Sequence, residues 1–402
     1  MGRQSKRLVV VSHVRHYLQG RDLFAYTPYV AELDEWAALF GEVVIVSPTA
    51  VEHPPADCSK FRSSNVTMVA VPLTGGTSWA AKLRQVAYLP VLCTVLLREI
   101  RKGDVVHVRC PGNLGLLGAL LAPLSKRPRI AKYAGNWGDY PGESRSYRWQ
   151  RRILASKWWS APVTVYSKQT NDPDHVINSF SSAITTEQAE RGAAAAATRR
   201  RSHGRLRLLY VGRLTAPKHP EVIVRSIAEL RGYGIDATGT ILGDGPEFSA
   251  LVELSRQMGI EQSVSFAGAV PLESVLSAYE EHDSLVLASE SEGFPKAVVE
   301  AMCFGLVVVG SARGRLVDIL GEGRGFTVPV GDSAAVAAIL RDIALDPEGS
   351  DQVGARASAW STDYTLGELR SAIATIIQQW WPGEQLVGPL DEGRSTDSTV
   401  GL

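Results

Sequence analysis

Short apolar runs recur along the chain, each followed by a longer stretch where apolar residues return every three or four positions. In the first half the runs are Arg7–Ser12, Val43–Ser47, Thr67–Pro72, Val105–Arg109 and Ile130–Ala134, with Val163–Tyr166 as one more. Runs this short, rich in Val and Ile and without polar alternation, predict strands buried on both faces. The stretches between them, Tyr29–Phe40, Ser78–Arg101, Leu114–Leu124 and Tyr147–Ser160, carry the helical period. The pattern then breaks. Gln188–Gly204 holds an alanine run and three consecutive arginines with no core-forming period, and it reads as an exposed linker or a frayed helix.

The alternation restarts at Leu206–Val211. Ala237–Leu242, Val264–Ala267, Ser284–Leu287 and Leu306–Val309 follow as strands. Helices are expected at Glu221–Tyr233, Glu247–Met258, Leu272–Glu280, Pro295–Phe304 and Ala334–Ala344. A last amphipathic helix, Gly367–Trp381, stops at Pro382, and the turn formers and charges of Gly383–Leu402 predict disorder. Strand–helix alternation of this kind predicts α/β architecture with parallel sheets covered by helices on both faces. A chain of 402 residues exceeds one ordinary core, so two domains are expected.

Composition narrows the class. Lys and Arg together count 42, as do Asp and Glu, which argues against a nucleic-acid protein acting through a strong overall positive field. Cys58, Cys93, Cys110 and Cys303 form no CxxC pair and no Cys/His cluster, as expected of reduced thiols in the cytoplasm. The apolar run after the basic start is too short for a signal peptide, and no stretch reaches membrane-spanning length. Asp172-Pro173-Asp174 is the lone DxD, and its setting predicts a turn.

The most informative stretch is Ser289–Gly305, SESEGFPKAVVEAMCFG. Two carboxylates, Glu290 and Glu292, sit in a loop after a strand, then Gly293 and Phe294, then Pro295 at the expected first helical position. The free N–H groups and dipole of such a helix start suit a phosphate. Along the helix nearly all positions are apolar except Lys296 and Glu300, so the helix is buried and Glu300 needs hydrogen-bond donors. Lys296 and Glu300 could pair with each other at i,i+4, worth a few tenths of a kcal/mol. Alternatively Glu300 and Glu292 accept hydrogen bonds from a ligand. The residues alone leave both readings open.

The E-x7-E spacing of Glu292 and Glu300, within EGFPKAVVEAM, resembles the signature of family 4 glycosyltransferases. Gly212-Arg213-Leu214 with Lys218 resembles that family's GRL…K segment, and Gly243-Asp244-Gly245-Pro246 its GxGP turn. Val264–Val270, Gly325 and Gly331-Asp332 also fall in the family's order, so the match covers roughly residues 206–332. The resemblance implies a GT-B fold, two doubly wound Rossmann-like domains facing across a cleft, and retaining transfer from a nucleotide-sugar without a cofactor or a metal. It implies ribose binding by Glu300 and sugar binding by Glu292 with the N–H groups of Gly293 and Phe294. Arg213 and Lys218 would meet the diphosphate, and Gly212, Gly243, Pro295 and Lys296 would line the donor. The leaving phosphate would take the acceptor's proton. The corresponding domains are 1–187 on the acceptor side, a linker at 188–204, the donor domain at 205–362, and 363–382 crossing back to the first domain.

The first half departs from the family. His13-Val14-Arg15-His16-Tyr17 replaces the usual glycine pair after the first strand, and Gly135-Asn136-Trp137-Gly138-Asp139 lacks the usual histidine. His13, His16, Asn136 and Asp139 are the acceptor-side candidates, with an ordinary turn as the other reading of 135–139. The Arg109–Asn113 segment is expected to face the ligand crevice, and His107 to be a hydrogen-bonded core residue. Tyr147–Trp159 mixes tryptophans with basic residues, consistent with an interfacial helix on anionic lipid or with a partly buried helix bearing a solvated basic edge. The expected acceptor is a glycan, a lipid-linked glycan or a small molecule. A sugar-nucleotide 2-epimerase and a catalytically silent nucleotide-sugar-binding subunit are the alternatives.

Overall fold

The structure is a computed structural model that describes residues 6–73, 79–140 and 143–385. Of the expected disordered tail, residues 386–402 lie outside the described ones. The chain divides into two compact units, Met1–Ala183 with Leu366–Leu402, and Ile184–Thr365.

In the first unit seven strands run parallel in the order Val176–Asn178, Val163–Val165, Arg129–Tyr133, Val105–Cys110, Arg7–Val11, Glu42–Ala50 and Val66–Val71. Val9 and Val11 pack into one core with Leu92, Leu96 and Leu114, while Leu8 and Val10 pack into another with Tyr29 and Leu33. Both faces of the strand are therefore covered, which is why its sequence is a solid apolar run. The helix Leu366–Trp380 joins this unit, burying Leu369, Ile373 and Ile377 in the second of these cores. A hairpin that no apolar run announces, His16–Gln19 with Asp22–Tyr26, extends the far end of Glu42–Ala50. Its two-residue loop begins with Gly20 at φ 62°, a conformation that glycine adopts without strain.

The second unit is a six-stranded parallel sheet in the order Val264–Gly268, Asp236–Leu242, Arg205–Val211, Ser284–Leu287, Val307–Ser311 and Phe326–Val328. The chain starts in the middle, builds outward to one side, then crosses back and builds outward to the other. Doubly wound sheets of this order bind ligands where the direction reverses, outside the carboxyl ends of the central strands. Here that point lies between the loops after Arg205–Val211 and Ser284–Leu287.

The stretch expected as an exposed linker or a frayed helix is an ordered helix within the second unit. Thr186–Thr198 is a helix whose first turn is closed by a capping box between Thr185 and Gln188. The alanines that looked featureless are the best helix formers, and Gly192 sits against Cys303 and Phe304. Arg199 donates to the carbonyls of Phe304 and Tyr279, and Arg201 to those of Gly305 and Asp283. Two of the three arginines thus satisfy carbonyls at helix ends, where cations are favoured. A further helix, Pro347–Ser361, leaves no apolar stripe because the residues it buries, such as Ser350, Gly354, Ala357 and Ser358, are small; Asp346 caps it.

Candidate functional site

At the reversal point of the second unit, two loops are tied together. The backbone N–H of Glu290 donates to the Pro217 carbonyl at 2.9 Å. Lys218 Nζ donates to Glu292 Oε1 at 2.5 Å, and Ser289 Oγ donates to the same oxygen at 2.6 Å. Ser289 is held in turn, its carbonyl accepting from the buried Ser311 hydroxyl at 2.6 Å. Lys218 and Glu292 are both largely but not fully buried, with 22% and 12% of their side-chain surface exposed. Among the described residues, Glu292 Oε2 and two ammonium protons of Lys218 have no protein partner, so both groups can address a ligand. Arg213 is exposed beside them, and among the described residues its guanidinium makes no ion pair.

The backbone here depends on a close approach. Gly243, at φ 148°, lies so near the preceding loop that a Cβ would stand 1.9 Å from the Gly212 carbonyl oxygen. Its N–H donates to Gly268 at 2.8 Å, which knits the ends of three strands together. Gly243→Ala is therefore expected to destabilise the second unit by about 1–3 kcal/mol, as overpacking does. A urea midpoint equal to that of wild type would show that the loops can part without cost.

Glu300 sits on the helix Lys296–Cys303 and is only 7% exposed. Its Oε2 accepts from the Tyr279 hydroxyl at 3.0 Å. Burial pushes its carboxyl up, against the lowering effects of the Tyr279 hydrogen bond and the Lys296 charge. Among the described residues Lys296 and Glu300 form no ion pair within 4.0 Å, so the local-pairing reading loses its geometric support. One protein donor for a buried carboxylate is few, and ligand hydroxyls are natural further donors. Pro295 is the N-cap residue, one position before the first helical residue where it was expected, and its carbonyl accepts from Val298 N–H at 2.9 Å. No side chain caps this helix start. Phe294 is buried and stacks on Tyr364 at 6.0 Å, which anchors the loop carrying Gly293.

The acceptor-side candidates fare unevenly. His13 is exposed and lies against Gly112 at the reversal point of the first sheet, between the ends of Arg7–Val11 and Val105–Cys110. His16 is not available: it is fully buried, bonded through Nδ1 to Ser47 Oγ at 2.8 Å and packed on Phe61 and Tyr29. It opens the hairpin strand beside Thr49, which turns its ring inward. Burial pushes its imidazole down to about 4, outweighing the Val14 carbonyl that raises it. Asn136 accepts from Gly138 N–H at 3.1 Å, as in an Asx turn, and Asp139 is held by Arg151. Asp172 of the DxD accepts from the Trp137 indole at 2.7 Å and from Gln169 N–H at 2.7 Å, closing a turn. His107 is buried but not hydrogen-bonded; its ring stacks on Trp36 at 4.3 Å.

Arg109 was expected to face a crevice, but it points into the protein. With Lys132 on the next strand it grips Glu32, at 2.5 Å and 2.7 Å, and all three are under 10% exposed. Burial pushes the Glu32 carboxyl up, but the two cations outweigh it and hold Glu32 well below the usual carboxylate range. Ser181 also donates to Glu32, at 3.3 Å. These four positions are scattered along the sequence, and no local pattern announces them.

Residues 196–360 match the family described as Glycosyl transferases group 1. The chain is 31% identical over 180 residues to D-inositol 3-phosphate glycosyltransferase of Streptomyces avermitilis, covering 42% of this chain and 38% of that protein. It is 31% identical over 196 residues to glycogen synthase of Mycobacterium tuberculosis, covering 48% and 47%. The chain thus spans less than half the length of these relatives. The fold extends further than the sequence likeness. HepE of Anabaena, solved in complex with UDP and glucose, superposes with a TM-score of 0.69 at 15% identity, covering 93% of this chain and all 100% of that one. Sucrose-phosphate synthase of Thermosynechococcus elongatus superposes with a TM-score of 0.69 at 16% identity, covering 94% and 100%. The chain has the GT-B fold of these proteins.

Proposed function

We propose, from the match of residues 196–360 to the group 1 glycosyl transferases, that the chain is a retaining glycosyltransferase. It moves a sugar from a nucleoside-diphosphate donor to a glycan, lipid-linked or small-molecule acceptor. The observation that carries this reading is the Lys218–Glu292 pair at the reversal point of a doubly wound sheet. A cation and a carboxylate stand side by side there, at the point where such sheets take nucleotides.

The roles follow from the charges. Breaking the bond between sugar and phosphate builds negative charge on the departing diphosphate and positive charge on the anomeric carbon. Arg213, Lys218 and the uncapped helix start at Lys296 stabilise the first. Glu292 orients the sugar through its hydroxyls, and Glu300 accepts from the ribose. The diphosphate oxygen takes the acceptor's proton as the new bond forms on the same face of the sugar, so no enzymatic nucleophile is used. In this reading the positive charge comes from side chains and the helix start without a resident metal.

A thermal-shift series with UDP, GDP, ADP and their sugar conjugates tests the donor assignment. One nucleotide is expected to raise the melting temperature of wild type. Glu300→Ala is expected to weaken that binding by roughly 10- to 100-fold, the loss of a charge-assisted hydrogen bond of about 1.5–3 kcal/mol. Equal shifts in the two proteins would remove Glu300 from the ribose. No shift with any nucleotide in a folded sample would remove the donor site altogether.

A further inference from the structure

One face of the N-terminal sheet carries a surface that sugar transfer does not use. The helices Trp79–Lys102, Asn113–Leu121 and Arg145–Leu154 are neighbours there, the middle one touching both others. Their inner sides, with Leu92, Leu96, Leu114 and Leu154, are buried in the core. Their outer sides are apolar too. Leu83 and Val86 are 67% and 68% exposed, Val91 is 53% exposed, and Trp149 is 65% exposed. Leu89, Leu124 and Trp158 are exposed with them. Single exposed apolar residues are ordinary, but a group on adjoining helices marks a binding surface.

The charge on these same segments is one-sided. Residues 79–102 hold five Lys or Arg, residues 113–127 hold two, and residues 144–158 hold five, against one carboxylate within those spans, Glu99. Arg148 and Arg151 are paired with Glu143, just before the last span, and Arg151 also with Asp139. Arg145, Arg152 and Lys157 form no ion pair among the described residues. Glu99 is buried and paired with Arg7 and Lys102, so it adds no negative charge to the surface. The whole chain balances 42 basic residues against 42 acidic ones, which makes this concentration a local feature. On the helix Arg145–Leu154, Arg145, Trp149 and Arg152 fall at i, i+4 and i+7, on one exposed side.

We infer that this face docks on an anionic lipid bilayer. The Leu83–Val91 turns enter the boundary between headgroups and acyl chains, and Trp149 and Trp158 sit at headgroup level. Arg145, Arg152 and Lys157 pair with lipid phosphates. Apolar burial and basic attraction act together in such contacts. A second copy of the chain fits less well, because a two-fold contact would bring the same basic face against itself. Nucleic acid has no use for exposed Leu and Val side chains. The inference stands apart from the sugar-transfer reading, since none of these residues belongs to the donor site.

Sedimentation of the full chain with vesicles tests it, comparing pure phosphatidylcholine with a phosphatidylcholine–phosphatidylglycerol mixture. Wild type is expected to bind the mixed vesicles and to stay in solution with the neutral ones. Arg145→Glu/Arg152→Glu is expected to lose at least about tenfold in partitioning, because each reversal removes an attraction and adds a repulsion. Leu83→Ser/Val86→Ser/Leu89→Ser, at exposed positions, is expected to lose at least as much while keeping the wild-type melting temperature and nucleotide shift. Equal partitioning of all three proteins would overturn the inference, as would binding to neither vesicle. A dimer by sedimentation velocity that the leucine-to-serine variant dissociates would assign the face to self-association instead.

Discussion

Lys218→Ala is expected to lower the turnover of the donor by about 10²- to 10³-fold, the usual cost of removing one preorganised donor from a developing anion. The release of nucleoside diphosphate measures it, with water as acceptor where no sugar acceptor is supplied. The Lys218 ammonium faces Glu292, and the two charges of the pair cancel. In the proposed reaction the diphosphate would draw the ammonium toward phosphate oxygens and leave Glu292 for the sugar, so that one step of binding would set both partners to work. Because the negative charge on the diphosphate grows as the bond breaks, the loss should fall mainly on kcat and less on donor KM. Lys218→Arg keeps the charge and should recover part of the rate. A kcat within threefold of wild type in Lys218→Ala would reduce the residue to a structural tie for Glu292.

Glu32→Ala is expected to destabilise the first unit by about 3–5 kcal/mol, because it leaves Arg109 and Lys132 buried without their counter-charge. The urea transition of that unit measures it, and a change below about 1 kcal/mol would mean that water reaches the two cations. The same triad fixes an acid limit. Glu32 has a folded-state pKa held well below its unfolded value of about 4.3, so its contribution is fully present above that value. It is lost progressively as pH falls below about 4.3 toward the folded pKa. In the alanine variant this part of the acid sensitivity should vanish.

Where local sequence and final structure agree, the cause is local. The run Val307–Ser311 and the helix Lys296–Cys303 are covered on nearly all sides, so apolar periodicity alone announces them. Lys218, Glu292 and Glu300 stand in short patterns whose spacing a loop or one helix face dictates, and they could be found by eye. The helix Pro347–Ser361 was hidden for the opposite reason: it packs with Ala and Ser, which leave no apolar stripe, though Asp346 and Pro347 signalled its start. The arginines Arg199 and Arg201 looked like a solvated charge run, and only the fold brings helix-end carbonyls to them. Glu32, Arg109 and Lys132 meet across about a hundred residues of chain, beyond the reach of any periodicity. His16 misled because a residue after a strand is usually exposed, whereas here the next strand begins at once and folds it inward.

The helix Leu366–Trp380 has a consequence for how the molecule comes into being on the ribosome. Leu8, Val10, Leu33 and Val43 belong to a core that also needs Leu369, Ile373 and Ile377. The segment up to Ala183 therefore stays unfinished until Leu366–Trp380 emerges, tens of seconds later at about 5–20 residues per second. Throughout that interval the nascent chain presents an uncovered apolar strip beside the Thr27–Leu39 helix. The residues at Ile184–Thr365, contiguous in sequence, have no such wait, so the second unit can complete its core before the first.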